Sequence, residues 1–291
     1  MSQSLTDDLS QECEMMLQPS HTDRGVTFLL GSLSHRLAYV RLPKCGSTLI
    51  TRALHHQFPD LQRIPLTKLR DASWFIFTFV RDPVSLAVAG YAEIEAHAWE
   101  AVERFKPPPL LSTLRYYRLP RRDSHRFPLF LDELFAQKFG PNCAANLWPA
   151  HAYPMVVNLG SALLRRVNFI GRLDTAIADW RRVQVAEAQS ALKSGREPAL
   201  GQISGSIFQK QQRNVGNVSA RELVKAESKA GVMLSDKVLC KISRLYAVDF
   251  ACLGYSVPVT SRPCHSSREM LILRDAHGRK RSWLSIRRGT D

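Results

Sequence analysis

The stretch YVRLPKCGST, residues 39–48, decides which fold the sequence predicts. It begins inside an apolar run, Leu37–Leu42, that is typical of a buried strand. Pro43 and Gly46 end that run, and apolar residues then recur at helical spacing from Ser47 to His56. The order strand, loop, helix is the unit from which parallel α/β sheets are built.

A second unit of the same kind follows in WFIFTFVRDP, residues 74–83. Its apolar first part predicts a buried strand, Arg81-Asp82-Pro83 predicts a turn, and a helix is predicted over 84–105. A third strand is predicted at 167–170, with a helix from about Thr175. We therefore expect an α/β fold with a central parallel sheet flanked by helices.

Length and composition indicate one folded domain with charged ends. The chain has 291 residues, 45% of them hydrophobic and 23% charged, which excludes wholesale disorder. We expect an acidic, disordered lead at 1–24, a single domain at 25–260 and a flexible basic tail at 261–291. The net charge of +14 favours an anionic partner such as a nucleotide, an acidic glycan, nucleic acid or a membrane surface.

The sequence carries no consistent signal for a cellular compartment. Its best candidate span, Trp74–Val80, is far shorter than the roughly 20 residues that cross a bilayer. Its first 23 residues contain Asp and Glu but no Lys or Arg, the reverse of a signal peptide. The chain is therefore expected to be soluble or to lack an anchor. Six scattered cysteines without a C-x-x-C pair are expected to be ordinary or occasionally paired thiols rather than a zinc site.

Both predicted turns carry side chains that suit an anion. In the loop Pro43–Thr48, a lysine, a glycine and two hydroxyls lie at the start of a helix, whose first backbone amides can bind an anion. The loop is not a Walker A motif, since Lys44 precedes its only glycine. Arg81 lies at the end of the second strand, where a guanidinium can bind a phosphate, although a structural ion pair with Asp82 is equally compatible.

Together, the two loops resemble those of a known family. YVRLPKCGST, residues 39–48, resembles the 5′-phosphosulfate loop of sulfotransferases that use 3′-phosphoadenosine 5′-phosphosulfate (PAPS). FTFVRDP, residues 77–83, resembles their 3′-phosphate motif. Later motifs are similar to those of the Golgi carbohydrate sulfotransferases, the branch of the chondroitin, dermatan and HNK-1 enzymes: NFIGRLD at 168–174, LYAVDF at 245–250 and GYS at 254–256.

The likeness spans residues 37–258 and implies a P-loop-NTPase-like sulfotransferase fold. It implies an enzyme that moves the sulfuryl group from PAPS, its co-substrate, to a hydroxyl of a carbohydrate without a metal ion. By the same resemblance, Lys44 contacts the sulfuryl and bridging oxygens, and Arg81 binds the 3′-phosphate. Gly46, Ser47 and Thr48 would hold the 5′-phosphate through backbone amides and hydroxyls, and Cys45 is also expected among the donor-binding residues. The family members are membrane-anchored Golgi proteins, so the Golgi is the expected compartment, with a cytoplasmic soluble form as the alternative.

The 3′-phosphate motif departs from the family pattern at two positions. A serine is usual eight residues after the arginine and an arginine is frequent five residues after it, whereas this sequence has Ala89 and Leu86 there. Ser85 lies one helical turn before Ala89 and is the candidate substitute. A lost hydroxyl contact to a charged phosphate costs roughly 1.5–3 kcal/mol. The sequence leaves open whether donor binding is weakened, rearranged or lost.

An acceptor hydroxyl must lose a proton, so a general base is expected near Lys44. His151 is the first candidate, because its segment WPAHAYP is similar to a His-Trp-x-Pro segment of the carbohydrate enzymes. Glu93 and His97 share a face of the helix after Arg81 and are its rivals.

The acceptor and the function itself have alternatives. The basic segment Arg115–Arg126, with tyrosines among its arginines, is predicted to be a loop that suits an anionic glycan, and Lys210, Arg213 and Asn214 are candidates to fold over the donor. A noncatalytic nucleotide or polyanion binder on the same fold is the second hypothesis. A nucleic-acid-binding protein is the third, supported only by that segment and the tail, and no nucleic-acid partner is expected.

Overall fold

The computed structural model describes most of the predicted domain and short parts of both ends. The described residues are 13, 28–104, 114–120, 123–136, 151–201, 232–261, 264, 272–274 and 280–282. The strands are β1 (Phe28–Ser32), β2 (Leu37–Arg41), β3 (Gln62–Arg63), β4 (Phe75–Val80), β5 (Phe169–Arg172), β6 (Ile272–Arg274) and β7 (Lys280–Ser282). The helices are α1 (Ser47–Gln57), α2 (Pro83–Arg104), α3 (Arg126–Phe135), α4 (Met155–Leu159), α5 (Ser161–Leu164), α6 (Ala176–Lys193), α7 (Asp236–Leu245) and α8 (Ala247–Leu253).

Five of these strands form one mixed sheet in the order β3-β1-β2-β4-β5. β2, β4 and β5 are parallel, and β1 is antiparallel to both of its neighbours. The register aligns Tyr39 with Phe77 and Phe77 with Phe169. The prediction of an α/β fold built on parallel strand–loop–helix units is confirmed, and an antiparallel edge completes the sheet.

Helices cover both faces of the sheet. Successive side chains of a strand point to opposite faces, so each strand contributes apolar side chains to a core on either side. Leu37 and Tyr39 of β2 belong to a core cluster with residues of α1 and α6, among them Trp180. Ala38 and Val40 belong to a larger cluster with residues of α2, α3, α4, α7 and α8. The apolar stripe predicted for α1 is buried and consists of Leu49, Ile50, Ala53 and Leu54.

β5 begins two residues later than the sequence pattern predicts, at Phe169. The residue before it, Asn168, is bound to Ile76 of β4 through both its backbone and its side chain. The Asn168 backbone amide donates to the Ile76 carbonyl at 2.7 Å, and the Ile76 amide donates to Asn168 Oδ1 at 2.7 Å. A side-chain oxygen therefore replaces a ladder carbonyl where the strand starts.

The carboxyl ends of the three parallel strands lie at one edge of the sheet. The chain leaves β2 through residues 42–46, β4 through Arg81 and Asp82, and β5 through Leu173 and Asp174. Ligands of open α/β sheets bind at this edge. The fold therefore brings the two predicted anion-binding loops together.

In its described part, the basic segment Arg115–Arg126 is only partly the exposed loop that the sequence predicts. It contains a short 3₁₀ helix at Tyr116–Arg118 and runs into α3. Tyr116 is fully buried, and Arg126 is 1% exposed. Arg126 Nε and Nη2 donate to the Glu95 carboxylate at 3.0 and 3.1 Å, and its guanidinium lies over the Tyr116 ring. Part of this positive charge therefore belongs to the core, because a buried carboxylate neutralises it.

Two disulfides join distant parts of the chain. Cys13 is bonded to Cys252 of α8, and Cys240 of α7 is bonded to Cys264. Cys13 is fully buried, and Cys45 is a free buried thiol. A separation of 239 residues explains why spacing alone could not predict the first pair. One cysteine of the predicted lead and one of the predicted tail are thus bonded to the predicted domain.

Several sequence predictions lie on residues that the structure does not describe. They concern the residues at 210–214 that are expected to fold over the donor, Arg121 and Arg122 of the basic segment, and most of the lead and the tail. None of the described helices is long and apolar enough to cross a bilayer.

Candidate active site

The loop between β2 and α1 has an unusual backbone. Lys44 has a φ of 59° and Gly46 a φ of 76°, both in the left-handed region that favours glycine. A Cβ atom on Gly46 would lie 2.6 Å from Leu173 Cδ1, so the close approach of the two loops also requires glycine. The first amides of α1 follow directly, at Ser47 and Thr48. Amides at a helix N-terminus can bind an anion, as predicted from the sequence.

Arg81 connects this loop to the end of β4. Its side chain is largely buried, and its Nη1 donates to the Lys44 carbonyl at 3.3 Å. Its backbone amide contacts Met155 Sδ at 3.3 Å. The sequence left open whether Arg81 pairs with Asp82 or binds an anion, and the structure places its guanidinium at the backbone of the first loop. The two loops predicted separately therefore form one site.

The first turns of α2 contain Leu86 and Ala89, the two positions that differ from the family's 3′-phosphate motif. Asp82 caps the helix, since its Oδ1 accepts a hydrogen bond from the Ser85 amide at 2.8 Å. Ser85 is buried in this first turn, at 6% exposure. Leu86 is part of the apolar core and cannot reach a ligand. Ala89 is partly buried one turn later.

A carboxylate lies between the lysine of the first loop and the predicted general base. Lys44 Nζ donates to Glu93 Oε2 at 3.0 Å. The other oxygen, Glu93 Oε1, lies 4.0 Å from His151 Nδ1. The three side chains are between 23% and 34% exposed, so solvent and a ligand can reach them. His151 and Glu93, rivals in the sequence prediction, are neighbours, and the side chain of His97 lies outside the described part.

The backbone around His151 is held against α2 by a glycine that the sequence analysis missed. A Cβ atom on Gly90 would lie 2.4 Å from the His151 carbonyl oxygen and 2.8 Å from Ala152 Cα. Any other residue would push this segment away from α2. A glycine within a helical pattern is the signal that could have indicated this contact.

The closing motif of the chain holds the same segment from the other side. Tyr246 donates its hydroxyl proton to the Ala152 carbonyl at 2.5 Å. The Asp249 carboxylate accepts the Met155 and Val156 amides at 2.8 Å each, at the start of α4. Burial raises the pKa of Asp249 to about 7, and the two amide hydrogen bonds oppose that rise. The tertiary role of LYAVDF is therefore to fix the segment that carries His151.

The motif NFIGRLD joins β5 to the residues that follow α8. Arg172 Nη2 donates to the Gly254 carbonyl at 2.8 Å, and its guanidinium lies 4.7 Å from the centre of the Tyr255 ring. Gly254 has a φ of 64° and ends α8 in the left-handed conformation. NFIGRLD and GYS, which are far apart in sequence, thus contact each other beside the two loops.

The chemistry open to the site depends on its thiol, on possible metal ligands and on its cations. Burial raises the pKa of the Cys45 thiol to about 12, so this thiol stays protonated near neutral pH and is a poor nucleophile. Within the described residues, no group of three or more His, Cys, Asp and Glu side chains is arranged to hold a metal ion. Lys44 and Arg81 are cations of the described residues that lie at the two loops.

Fold and site together define an α/β protein with a strand–loop–helix at the carboxyl edge of a parallel sheet, an arrangement that suits an anion. The sequence matches the profile of the sulfotransferase family over residues 30–256, a range that contains all of the motifs above. The chain therefore belongs to the sulfotransferase family, whose members transfer sulfuryl groups to hydroxyl acceptors and generally use PAPS. Searches of curated proteins and of solved structures found no significant match.

Proposed function

We propose that the protein transfers the sulfuryl group of PAPS to a hydroxyl of a carbohydrate. The observation that carries this proposal is the hydrogen bond from Arg81 Nη1 to the Lys44 carbonyl. PAPS carries anions at both ends of its ribose, a 5′-phosphosulfate and a 3′-phosphate. A site that joins a helix-start anion loop to a strand-end arginine suits both groups at once.

The chain's own residues fit the donor in the following way. The amides at the start of α1 and the hydroxyls of Ser47 and Thr48 bind the 5′-phosphate, and the left-handed turn at Gly46 lets the backbone approach it. The Cys45 amide donates to the Leu42 carbonyl at 3.4 Å, so Cys45 shapes the loop around the phosphate. Arg81 binds the 3′-phosphate, which a plain nucleotide lacks, with Ser85 in the position of a supporting hydroxyl.

The proposed mechanism uses one cation and one base. PAPS supplies an activated sulfuryl group. Lys44 donates a hydrogen bond to the bridging oxygen as the S–O bond breaks and its electron pair passes to the leaving phosphate. His151 accepts the proton of the acceptor hydroxyl as that oxygen bonds to sulfur. Solvent access to both side chains supports this assignment.

A carbohydrate acceptor is supported by the later motifs, which resemble the carbohydrate branch. In the described part of the basic segment, Arg115 and Arg118 are exposed and suit an anionic glycan, whereas Tyr116 and Arg126 are buried. The Golgi lumen is the proposed compartment. Its support is the two disulfides, since such bonds form and persist in oxidising compartments.

The first experiment is calorimetric titration with 3′-phosphoadenosine 5′-phosphate (PAP) beside 5′-AMP. We expect micromolar PAP binding and much weaker 5′-AMP binding. Arg81→Ala should weaken PAP binding by about 10–100-fold, because a charge-assisted hydrogen bond contributes roughly 1.5–3 kcal/mol, and should leave 5′-AMP binding nearly unchanged.

Lys68→Ala is the matched control, since Lys68 is exposed and precedes β4, away from the carboxyl edge. Thermal melting checks that each variant is folded. Equal affinity for PAP and 5′-AMP in the unaltered protein would contradict a working donor site.

A noncatalytic nucleotide or polyanion binder is the second candidate, and the alanine and the buried leucine at positions 89 and 86 favour it. The two candidates differ in turnover. Radiolabelled PAPS offered with chondroitin, dermatan and desulfated glycans should label an acceptor if the protein is an enzyme. PAP binding without label on any acceptor would favour the binder.

A further inference from the structure

Glu93 lies between Lys44 and His151, close enough to pair first with one and then with the other. Glu93 Oε2 accepts a hydrogen bond from Lys44 Nζ at 3.0 Å, and Glu93 Oε1 lies 4.0 Å from His151 Nδ1. The first distance is that of a formed hydrogen bond and the second is too long for one. The carboxylate is therefore closely paired with the lysine and stands one short movement from the imidazole.

We propose that Glu93 is a positioning residue that pairs with Lys44 in the ligand-free protein and with His151 once an anion is bound. This inference rests on the proposed sulfuryl transfer. In it, Glu93 is a partner of the base rather than the rival base that the sequence suggests. Binding of the donor and preparation of the base are thereby coupled through one carboxylate.

The exchange of partners follows from the exposure of the groups. Lys44 and Glu93 are 25% and 34% exposed, and ion pairs this accessible are weak because water screens them. A phosphate or phosphosulfate in the adjacent loop offers Lys44 several charged oxygens, and such charge-assisted bonds are strong. Lys44 should therefore turn towards the anion and release Glu93 Oε2.

The released carboxylate then has a defined effect on His151. A carboxylate at Nδ1 accepts the Nδ1 proton, which selects the tautomer with its lone pair on Nε2. Nε2 is then the atom that accepts the acceptor's proton. On the other side of this segment, Asp249 and Tyr246 bind backbone groups at residues 152–156, so they fix the backbone.

The proposed transfer moves one proton and one bonding electron pair, and each has a defined destination. The acceptor oxygen bonds to sulfur and gives its proton to His151 Nε2. The bridging S–O bond breaks, and its electron pair goes to the 5′-phosphate, where Lys44 stabilises the charge. Glu93 stays ionised throughout and stabilises the imidazolium that forms.

The test compares Glu93→Gln, which keeps the size and removes the charge, with Glu197→Gln as a matched control at an exposed position. PAP affinity is measured by calorimetry, kcat and KM with the best glycan acceptor, and folding by thermal melting. For Glu93→Gln we expect PAP affinity equal to or up to about tenfold tighter than in the unaltered protein, because Lys44 no longer has a competing carboxylate. We expect kcat to fall by about 10–100-fold, within the usual range for general base catalysis.

A spectroscopic measurement gives a readout that does not depend on turnover. The nitrogen chemical shifts of the imidazole report the tautomer of His151, and His151→Gln identifies its signals among the nine histidines. Saturating PAP should shift His151 towards the Nδ1-protonated tautomer in the unaltered protein and not in Glu93→Gln.

Three outcomes overturn the inference alone, and a fourth overturns it together with the proposed function. PAP affinity that falls together with kcat would show that Glu93 merely supports the fold. A kcat within twofold of the unaltered protein, or an equal tautomer response in both proteins, would show that His151 does not depend on Glu93. PAP binding that requires Arg81 would leave the proposed donor site standing in each of these cases. No preference of the unaltered protein for PAP over 5′-AMP would overturn the proposed function and the inference together.

Discussion

Glu93 and Glu95 lie two positions apart on α2, and each pairs with a cation, but the surroundings of the two pairs differ. Successive residues of a helix are rotated by about 100°, so these two side chains point to nearly opposite sides. Glu93 points to the carboxyl edge, where its pair with Lys44 is 34% and 25% exposed. Glu95 points into the core, where its pair with Arg126 is 5% and 1% exposed.

Burial separates the charges that hold this fold from the charges that can react. Arg126 makes two hydrogen bonds to Glu95 and others to backbone carbonyls of its own segment, so its charge is fully committed. Lys44 donates a hydrogen bond to an accessible carboxylate, beside the backbone that we propose binds an anion. The sequence pattern does not distinguish the roles of Lys44 and Arg126, but only Lys44 has surroundings that let it exchange its partner.

The largest expected effect is on stability and concerns the buried pair. Arg126→Ala leaves the Glu95 carboxylate buried without its partner, which typically costs about 3–5 kcal/mol of unfolding free energy. Chemical denaturation with the disulfides intact measures this value. Arg115→Ala, an exposed arginine of the same segment, is the control and should change stability by less than about 0.5 kcal/mol. A loss below about 1 kcal/mol in Arg126→Ala would mean that the pair is not buried in solution.

The next effect is on catalysis and concerns the exposed pair. Lys44→Ala should lower kcat by about 10²–10³-fold, equivalent to roughly 2.7–4 kcal/mol, because a group that stabilises transition-state charge is removed. Its stability should hardly change, since the ion pair with Glu93 is accessible to water. Transfer from radiolabelled PAPS and thermal melting measure the two quantities on the same sample. Turnover that survives Lys44→Ala would remove Lys44 from the mechanism.

The smallest effect is a pH dependence at Asp249, a buried carboxylate whose hydrogen bonds in the described part of the chain come from two backbone amides. Its pKa is raised to about 7 in the folded protein, against a usual value of about 3.9 in an unfolded chain. Between these values folding takes up a proton, so this contribution to stability is complete at low pH and is lost as the pH rises through 7. From pH 5 to 6.5 the loss should be about 2 kcal/mol.

Asp249→Asn isolates this contribution, because an amide does not titrate. The difference in unfolding free energy between the unaltered protein and the variant should shrink by that amount over the same pH range. A constant difference would show that the carboxylate stays ionised, held by the Met155 and Val156 amides. Asp249 would then be a buried charge held by fixed hydrogen-bond partners, as Arg126 is.

The parts that could be predicted from the sequence are those with a local cause. The strand–loop–helix of residues 37–57 was predictable because an apolar run, a break and a helical stripe follow one another. The prediction of two anion-binding loops rested on lysine, glycine, hydroxyls and arginine at the ends of two strands. Their meeting at one edge followed from the parallel order of the sheet.

The burial of Arg126 and Tyr116 could not be predicted in this way, because a run of arginines and tyrosines has the composition of an exposed loop. It becomes core only where Glu95 of α2 neutralises it. The Cys13–Cys252 bond also joins residues whose proximity depends on the whole fold.

By itself, the sequence determined the fold class, the position of the lysine and arginine at the ends of two strands, and the family to which the chain belongs. These are properties of short stretches, in which period and spacing express backbone preferences directly. Only the tertiary structure decided that Glu93 lies between Lys44 and His151, that Gly90 admits the His151 backbone, and that Asp249 holds the segment in place. Those contacts join elements that are distant along the chain, and close packing, rather than any local pattern, selects them.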